Sequence, residues 1–199
     1  MNKWIGDECM NDVGTVMLET ERLILRRIEL NDALDMFTGW CNDVDVCRYL
    51  PWDCHGNIKV TNELLNMWVD EYNNSHVYRW IVVLKENNKP VGTVDVVNKD
   101  IDNMVFELGH CYSKDTWGKG IATEVFSRVI EFLFDEVGVE VITAKHNESN
   151  IASGKVMKKA NMKYDGTLRS RVIDKVTKER EGFVCYSITR DEYLRTKLK

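Results

Sequence analysis

Gly118 and Gly120 stand between an apolar, strand-like run and an amphipathic, helix-like one, inside Asp115-Thr116-Trp117-Gly118-Lys119-Gly120-Ile121-Ala122-Thr123-Glu124. Glycine lets the main chain approach a ligand in conformations that a side chain forbids. The first amides of the following helix have no intrahelical partner and lie at the positive end of its dipole, so such a turn can cradle a phosphate. Taken alone, a Gly-x-Gly turn is equally ordinary punctuation before a helix. A P-loop is excluded, because Ser113 and Gly120 stand where that motif needs Gly and then Ser or Thr. A dinucleotide fingerprint fails as well: Thr123 takes its third small position, and the next expected strand, Val139 to Ala144, runs into Lys145-His146 instead of an acid.

Glu107 interrupts the apolar run Asn103 to Tyr112. Glutamate is depleted in strands, so this one belongs either to a solvent-facing row or to a site, where it would serve as a general base directly or through water. Asn147, Asn150 and Ser153 recur at three-residue intervals across a strand end and the next helix, which puts Asn150 and Ser153 on one face. Helix N-capping is the competing reading, and for Asn150 the two are compatible. Tyr164 is a rival acid whose spacing favours sheet packing. The four histidines form no metal constellation, and His110 and Cys111 read as packed strand residues. The six cysteines are scattered without a Cys-x-x-Cys pair, which disfavours zinc and a disulfide framework.

Several blocks in order resemble the GNAT superfamily of N-acetyltransferases, and within it the RimJ/RimL-like branch. They are Glu19 to Arg26, Asn31-Asp32-Ala33, Arg48 to Trp52, Lys89 to Thr93, Glu107-Leu108-Gly109, Trp117 to Gly120, Asn147 to Ser153, Met162 to Gly166 and Tyr186-Ser187-Ile188. The resemblance implies an α/β (α+β) fold: a mixed, mostly antiparallel central sheet flanked by helices on both faces, whose central strand splays from its neighbour just beyond Glu107. It implies acetyl-CoA as co-substrate, an amine as acceptor and no metal. Glu107 becomes the general base, and Ser153 the hydrogen-bond donor or general acid near the thioester. The cofactor positions are Leu108, Gly109, Cys111 and Tyr112; Trp117, Gly118, Lys119, Gly120, Ile121, Ala122 and Thr123; and Asn147, Asn150 and Ser153. Two departures stand out. Asp115 replaces the usual Gln or Arg three residues before the first glycine, placing a negative charge beside a pyrophosphate, and Asn161-Met162 replaces a usual Gly-Phe.

The elements that must position these residues can be outlined. Residues 1–18 form a poorly patterned leader, and by the resemblance 19–199 would be a single acyl-CoA N-acyltransferase domain. Leu23 to Arg27 reads as a strand, followed by a helix Asp32 to Cys41 with Asn31 as its cap, and a helix Thr61 to Asn73. Strands Arg79 to Lys85 and Pro90 to Asn98 flank a turn at Glu86 to Lys89. Ile121, Val125, Phe126, Val129, Ile130, Leu133 and Phe134 draw one stripe along a helix ending near Val137-Gly138. A helix Asn150 to Ala160 and strands Met162 to Arg169 and Gly182 to Thr189 complete the chain.

With 199 residues, 44% hydrophobic and 30% charged, the composition fits one globular domain. Trp80 to Leu84 is far too short an apolar run to cross a bilayer, and no secretion signal is visible, so a cytoplasmic location is expected, without membrane contact. The net charge of −5 argues against nucleic acid; Lys155, Lys158 and Lys159 read as a solvated face or as neighbours of a 3′-phosphate. At neutral pH an α-amine of pKa about 8 is roughly a tenth neutral and a lysine amine less than about 0.1%, so a protein N-terminus is the easier acceptor, with small amines next. Trp40, Trp52 and Trp68 read mostly as packing. Homodimerisation is left open. A non-catalytic CoA-binding sensor is the alternative function, and an NAD-dependent enzyme is a third, weakened by Thr123 and Lys145.

Overall fold

The structure, a computed structural model, describes residues 10–74 and 76–198. Its strands are β1 (Leu18–Glu19), β2 (Leu23–Arg26), β3 (Arg79–Leu84), β4 (Lys89–Asp100), β5 (Val105–Tyr112), β6 (Val141–Asn147), β7 (Lys163–Ile173) and β8 (Arg180–Thr189). They form one eight-stranded sheet in the order β1-β2-β3-β4-β5-β6-β8-β7. Among the described residues only the β5–β6 pair is parallel. A parallel pair needs a long crossover, and α4 (Ile121–Phe132), followed by a π turn at Leu133–Val137, provides it.

Strand alternation sorts the core into two layers. Trp80, Val82, Val94, Phe106, Leu108, Ile142 and Ala144 point to one face, where Val125, Phe126 and Val129 of α4 and Met157 of α5 (Ile151–Lys159) cover them. Ile81 and Val83 point to the other, against Met36 of α1 (Ala33–Met36), Trp40 and Leu65 of α3 (Ile58–Glu71). The mostly antiparallel mixed sheet with helices on both faces is therefore the fold that the sequence implied.

Several local expectations change. The first helix is split into a 3-10 turn at Leu30–Asp32, α1 and a π turn at Phe37–Cys41. Its start is set by the Asp32 carboxylate, not by Asn31: Asp32 accepts from the Glu29 amide at 2.7 Å and from both terminal nitrogens of Arg26. A short α2 (Val44–Cys47) follows. β6 runs past Ala144 to Asn147 because Lys145, His146 and Asn147 keep pairing with β8. α6 (Arg190–Lys197), which has almost no apolar stripe, is started by a reciprocal cap: Thr189 Oγ1 accepts from the Glu192 amide, and Glu192 accepts from the Thr189 amide.

Residues 1–9 of the expected leader lie outside the described residues. The rest of it is built into the body. The Trp80 indole N–H donates to the Val16 carbonyl at 2.6 Å, the Thr15 hydroxyl donates to the Val77 carbonyl, and the Arg79 amide donates to Thr15 Oγ1. These bonds are polar and nonlocal, so no hydrophobic period announces them.

Candidate active site

β5 and β6 pair from Val105 with Val141 to Leu108 with Ala144, and there the ladder stops. Both strands continue, β5 to Tyr112 beside β4 alone and β6 to Asn147 beside β8 alone. The parting leaves the main chain of Gly109 to Tyr112 open on the β6 side. Its rim is marked by a bulge in β4, where Val96 opposes Leu108 and Asn98 opposes Glu107 with Val97 between them.

The glycine turn lies at the far end of β5. Trp117 ties it down by donating its indole N–H to the Tyr112 carbonyl at 3.0 Å. Gly118 and Gly120 sit at φ of 74° and 80°, the left-handed region that a side chain disfavours. The first helical bond of α4 runs from the Glu124 amide to the Gly120 carbonyl. Ahead of it, the amides of Ile121, Ala122 and Thr123 have no protein acceptor among the described residues, and no side chain caps the helix. Three aligned free N–H groups suit an anion. The side chain of Ile121 is buried in the core, as is that of Leu108, so each offers a ligand its main chain only.

Arg22, which the sequence reading did not single out, braces this turn. It donates to Glu124 Oε2 through Nε at 2.7 Å and to the Lys119 carbonyl through Nη1 at 3.1 Å. Burial alone would raise the Glu124 carboxyl, but bonds from Thr20 and Arg22 outweigh it and hold the group below its usual range. Asp115 is answered as well. Lys89 pairs with it at 2.8 Å and Ser113 donates to it at 2.6 Å, which keeps its carboxyl below the usual range and neutralises the charge beside the cradle.

Along the parting, Glu107 is mostly buried and forms an ion pair with Lys145 of β6 at 2.8 Å. Asn150 caps α5, its Oδ1 accepting from the Ser153 amide at 3.3 Å, so the capping reading holds for that side chain. Asn147 and Ser153 are buried close by. His146 directs Nδ1 at the Asn147 carbonyl; among the described residues its buried Nε2 has no partner, nor has the buried Tyr112 hydroxyl. Gly154 lies against that imidazole, where a Cβ would come within 2.5 Å of Nε2. His110 packs edge-on to Phe126, and burial, with His146 nearby, pushes its pKa down to about 4. Cys111 is likewise a packed residue: burial raises its thiol to about 12, leaving it neutral. Tyr164 is exposed on β7, bonds Thr167 and lies two strands over from the last β5–β6 pair, level with Ala144 and Tyr186. Trp40 is core, and Lys155, Lys158 and Lys159 are solvent-facing.

On the face away from α4, the turn between β7 and β8 reaches the segment that follows α2. Asp174, fully buried, accepts from Arg48 Nε at 2.9 Å, and Lys175 donates to the Trp52 carbonyl and pairs with Asp53. The hairpin turn is thus tied to the segment that follows α2, a link with no local sequence signal. Among the described residues no cluster of His, Cys, Asp or Glu could hold a metal, and no helix is long and apolar enough to cross a membrane.

The sequence profile of the acetyltransferase (GNAT) domain matches residues 22–163. An uncharacterised N-acetyltransferase, p20 of Bacillus licheniformis, is 28% identical over 152 residues, 76% of this chain and 85% of that protein. Among solved structures, the microcin C7 self-immunity acetyltransferase MccE in complex with acetyl-CoA and AMP superposes with a TM-score of 0.77 at 17% identity, over 92% of this chain and 99% of that one. The ribosomal-protein-S5-alanine acetyltransferase of Vibrio fischeri gives 0.77 at 20% identity, over 88% and 97%. These two likenesses bear on the fold. With the profile spanning most of its length and the parted strands leading to a free helix start, the chain belongs to the GNAT family of acetyl-CoA-dependent N-acetyltransferases.

Proposed function

We propose that the enzyme acetylates a primary amine, foremost the α-amine of a protein N-terminus in the manner of the RimJ/RimL-like branch, and otherwise a small amine. One observation carries this reading: the parting of β5 and β6 runs toward the unpaired amides that open α4. Acetyl-CoA fits such a path. Its diphosphate would lie on the main chain of Gly118 to Thr123 beside Trp117 and Lys119, and its pantetheine arm along Leu108, Gly109, Cys111 and Tyr112, with Asn147 and Asn150 on the other wall. The co-substrate brings the reactive carbonyl, so the protein's work is orientation and polarisation. Glu107 takes a proton from the amine nitrogen, main-chain amides beyond it face the acyl oxygen, and Ser153 donates toward the departing sulfur. The ribosomal-protein-S5-alanine acetyltransferase of Vibrio fischeri, which shares the fold, is named for a protein acceptor.

The test is thiol release from acetyl-CoA over a panel of amines and N-terminal peptides. Turnover highest on N-terminal peptides is the expected result; binding of acetyl-CoA with no turnover on any member would favour a sensor instead.

A further inference from the structure

Opposite Gly109, on the neighbouring strand, lies an acid that this chemistry does not use. Asp95 is the cross-strand partner of Gly109. Its Oδ1 lies 3.8 Å from the point where a Gly109 side chain would begin, so the carboxylate borders the parting on the face away from α4. The side chain is only 21% exposed, and no hydrogen bond reaches it among the described residues. Among the described residues its ion-pair partner is Arg79 Nε, 3.8 Å away, and that buried nitrogen has no hydrogen-bond partner there. Arg79 is committed elsewhere, donating to Glu71 at 2.5 Å and lying 4.3 Å from the Trp68 ring centre. The titratable groups facing Asp95 are Arg79 of β3, Glu71 and Tyr72 from α3 and its end, and Cys111 of β5. Two carboxylates thus share one guanidinium, which leaves room for a second cation.

We propose that Asp95 binds the cationic amine of the acceptor and takes its first proton. The proposal rests on the acetyltransferase reading and extends it to aliphatic ammonium acceptors. Of the two protons that the nitrogen loses as its bond to the acetyl carbon forms, Asp95 passes one to solvent and Glu107 takes the other. The carbon–sulfur bond breaks with its electron pair on sulfur, the thiolate gains a proton, and one proton is released overall. Burial brings the Asp95 carboxyl to about 6, with Arg79 opposing and Glu71 adding, so it is a stronger base than an ordinary aspartate yet ionised at neutral pH.

Wild type, D95N and E71Q are assayed with acetyl-CoA and the probes L-alaninamide, spermidine and Nα-acetyl-lysine amide, and the Asp95 carboxyl of wild type is titrated by 13C NMR. D95N is expected to lower kcat/KM about 100-fold for any probe that wild type acetylates, with acetyl-CoA affinity within about twofold. The wild-type acid limb, centred at about 6, disappears in D95N and moves to lower pH in E71Q, where Arg79 is left to Asp95 alone. Because a raised carboxyl pKa means that ionisation costs folding stability above about 6, the Tm of D95N at neutral pH is not lowered. D95N within about threefold of wild type overturns the proposal and leaves acetyl transfer standing. If no probe is acetylated, or D95N does not fold, the NMR midpoint decides: a probe ammonium that lowers it supports the proposal, and no displacement by any probe overturns it. Failure of wild type to bind acetyl-CoA would instead remove the transferase reading, and the titration would still report on Asp95.

Discussion

Glu107 and Asp95 occupy one face of adjacent strands in opposite company, one answered by Lys145 and the other by no hydrogen bond. A carboxylate held by a lysine is well placed and well oriented, so its loss should be felt in turnover. Glu107→Gln is expected to reduce kcat by about 100-fold or more while the Kd for acetyl-CoA, read by calorimetry, stays within about twofold. Unchanged turnover would take Glu107 out of the mechanism. Glu107 could be picked out from sequence because an acid inside an apolar run is conspicuous. Its partner could not, since Lys145 lies on β6 and only the parallel register brings it across. Arg22, just before β2, and Asp95 of β4 were hidden for the same reason: each looks like an ordinary polar residue until a distant neighbour meets it. The charge of Asp115, unfavourable on paper, proves to be spent on Lys89 and Ser113.

At the level of elements, two helix-borne glycines make separable predictions. Gly120 begins α4 at φ 80°, and a Cβ there would meet only Arg22 Nη2 at an ordinary 3.6 Å. Gly120→Ala therefore costs backbone strain of about 1–2 kcal/mol, with weaker acetyl-CoA binding because the cradle opens; urea unfolding and calorimetry check both parts. Gly154→Ala acts differently. Its Cβ would fall within 2.5 Å of the His146 ring, so α5 must shift off β6, at about 1–3 kcal/mol, with Ser153 moving along. A normal unfolding midpoint for that variant would show that the helix is not seated as described. α4 was legible in sequence because its apolar stripe is regular and Gly138 closes it at φ 87°. The split first helix, the end of β6 and α6 were not, because caps and strand register set them and neither has a hydrophobic period.

For the molecule as a whole, the Arg48–Asp174 pair, with its carboxylate buried and its guanidinium partly exposed, latches the β7–β8 hairpin onto the segment after α2. The Arg48 guanidinium, followed by the amides of Thr177 and Val176, holds the Asp174 carboxyl down at about 2 against an ordinary 3.8. A depressed carboxyl stabilises the fold fully above its ordinary value and loses that contribution as pH falls through about 2. Asp174→Asn should therefore lower the urea midpoint at neutral pH and narrow its gap to wild type as the solution is acidified below the ordinary value. A constant gap would mean that the ionised pair is not the latch. The segment 11–18 carries a further consequence, for how the gene is read. A product initiated at Met17 would leave the Trp80 indole hydrogen without the Val16 carbonyl and the Arg79 amide without the Thr15 hydroxyl, and would uncover that side of the core. Such a short form would be a protease substrate, not an isoform.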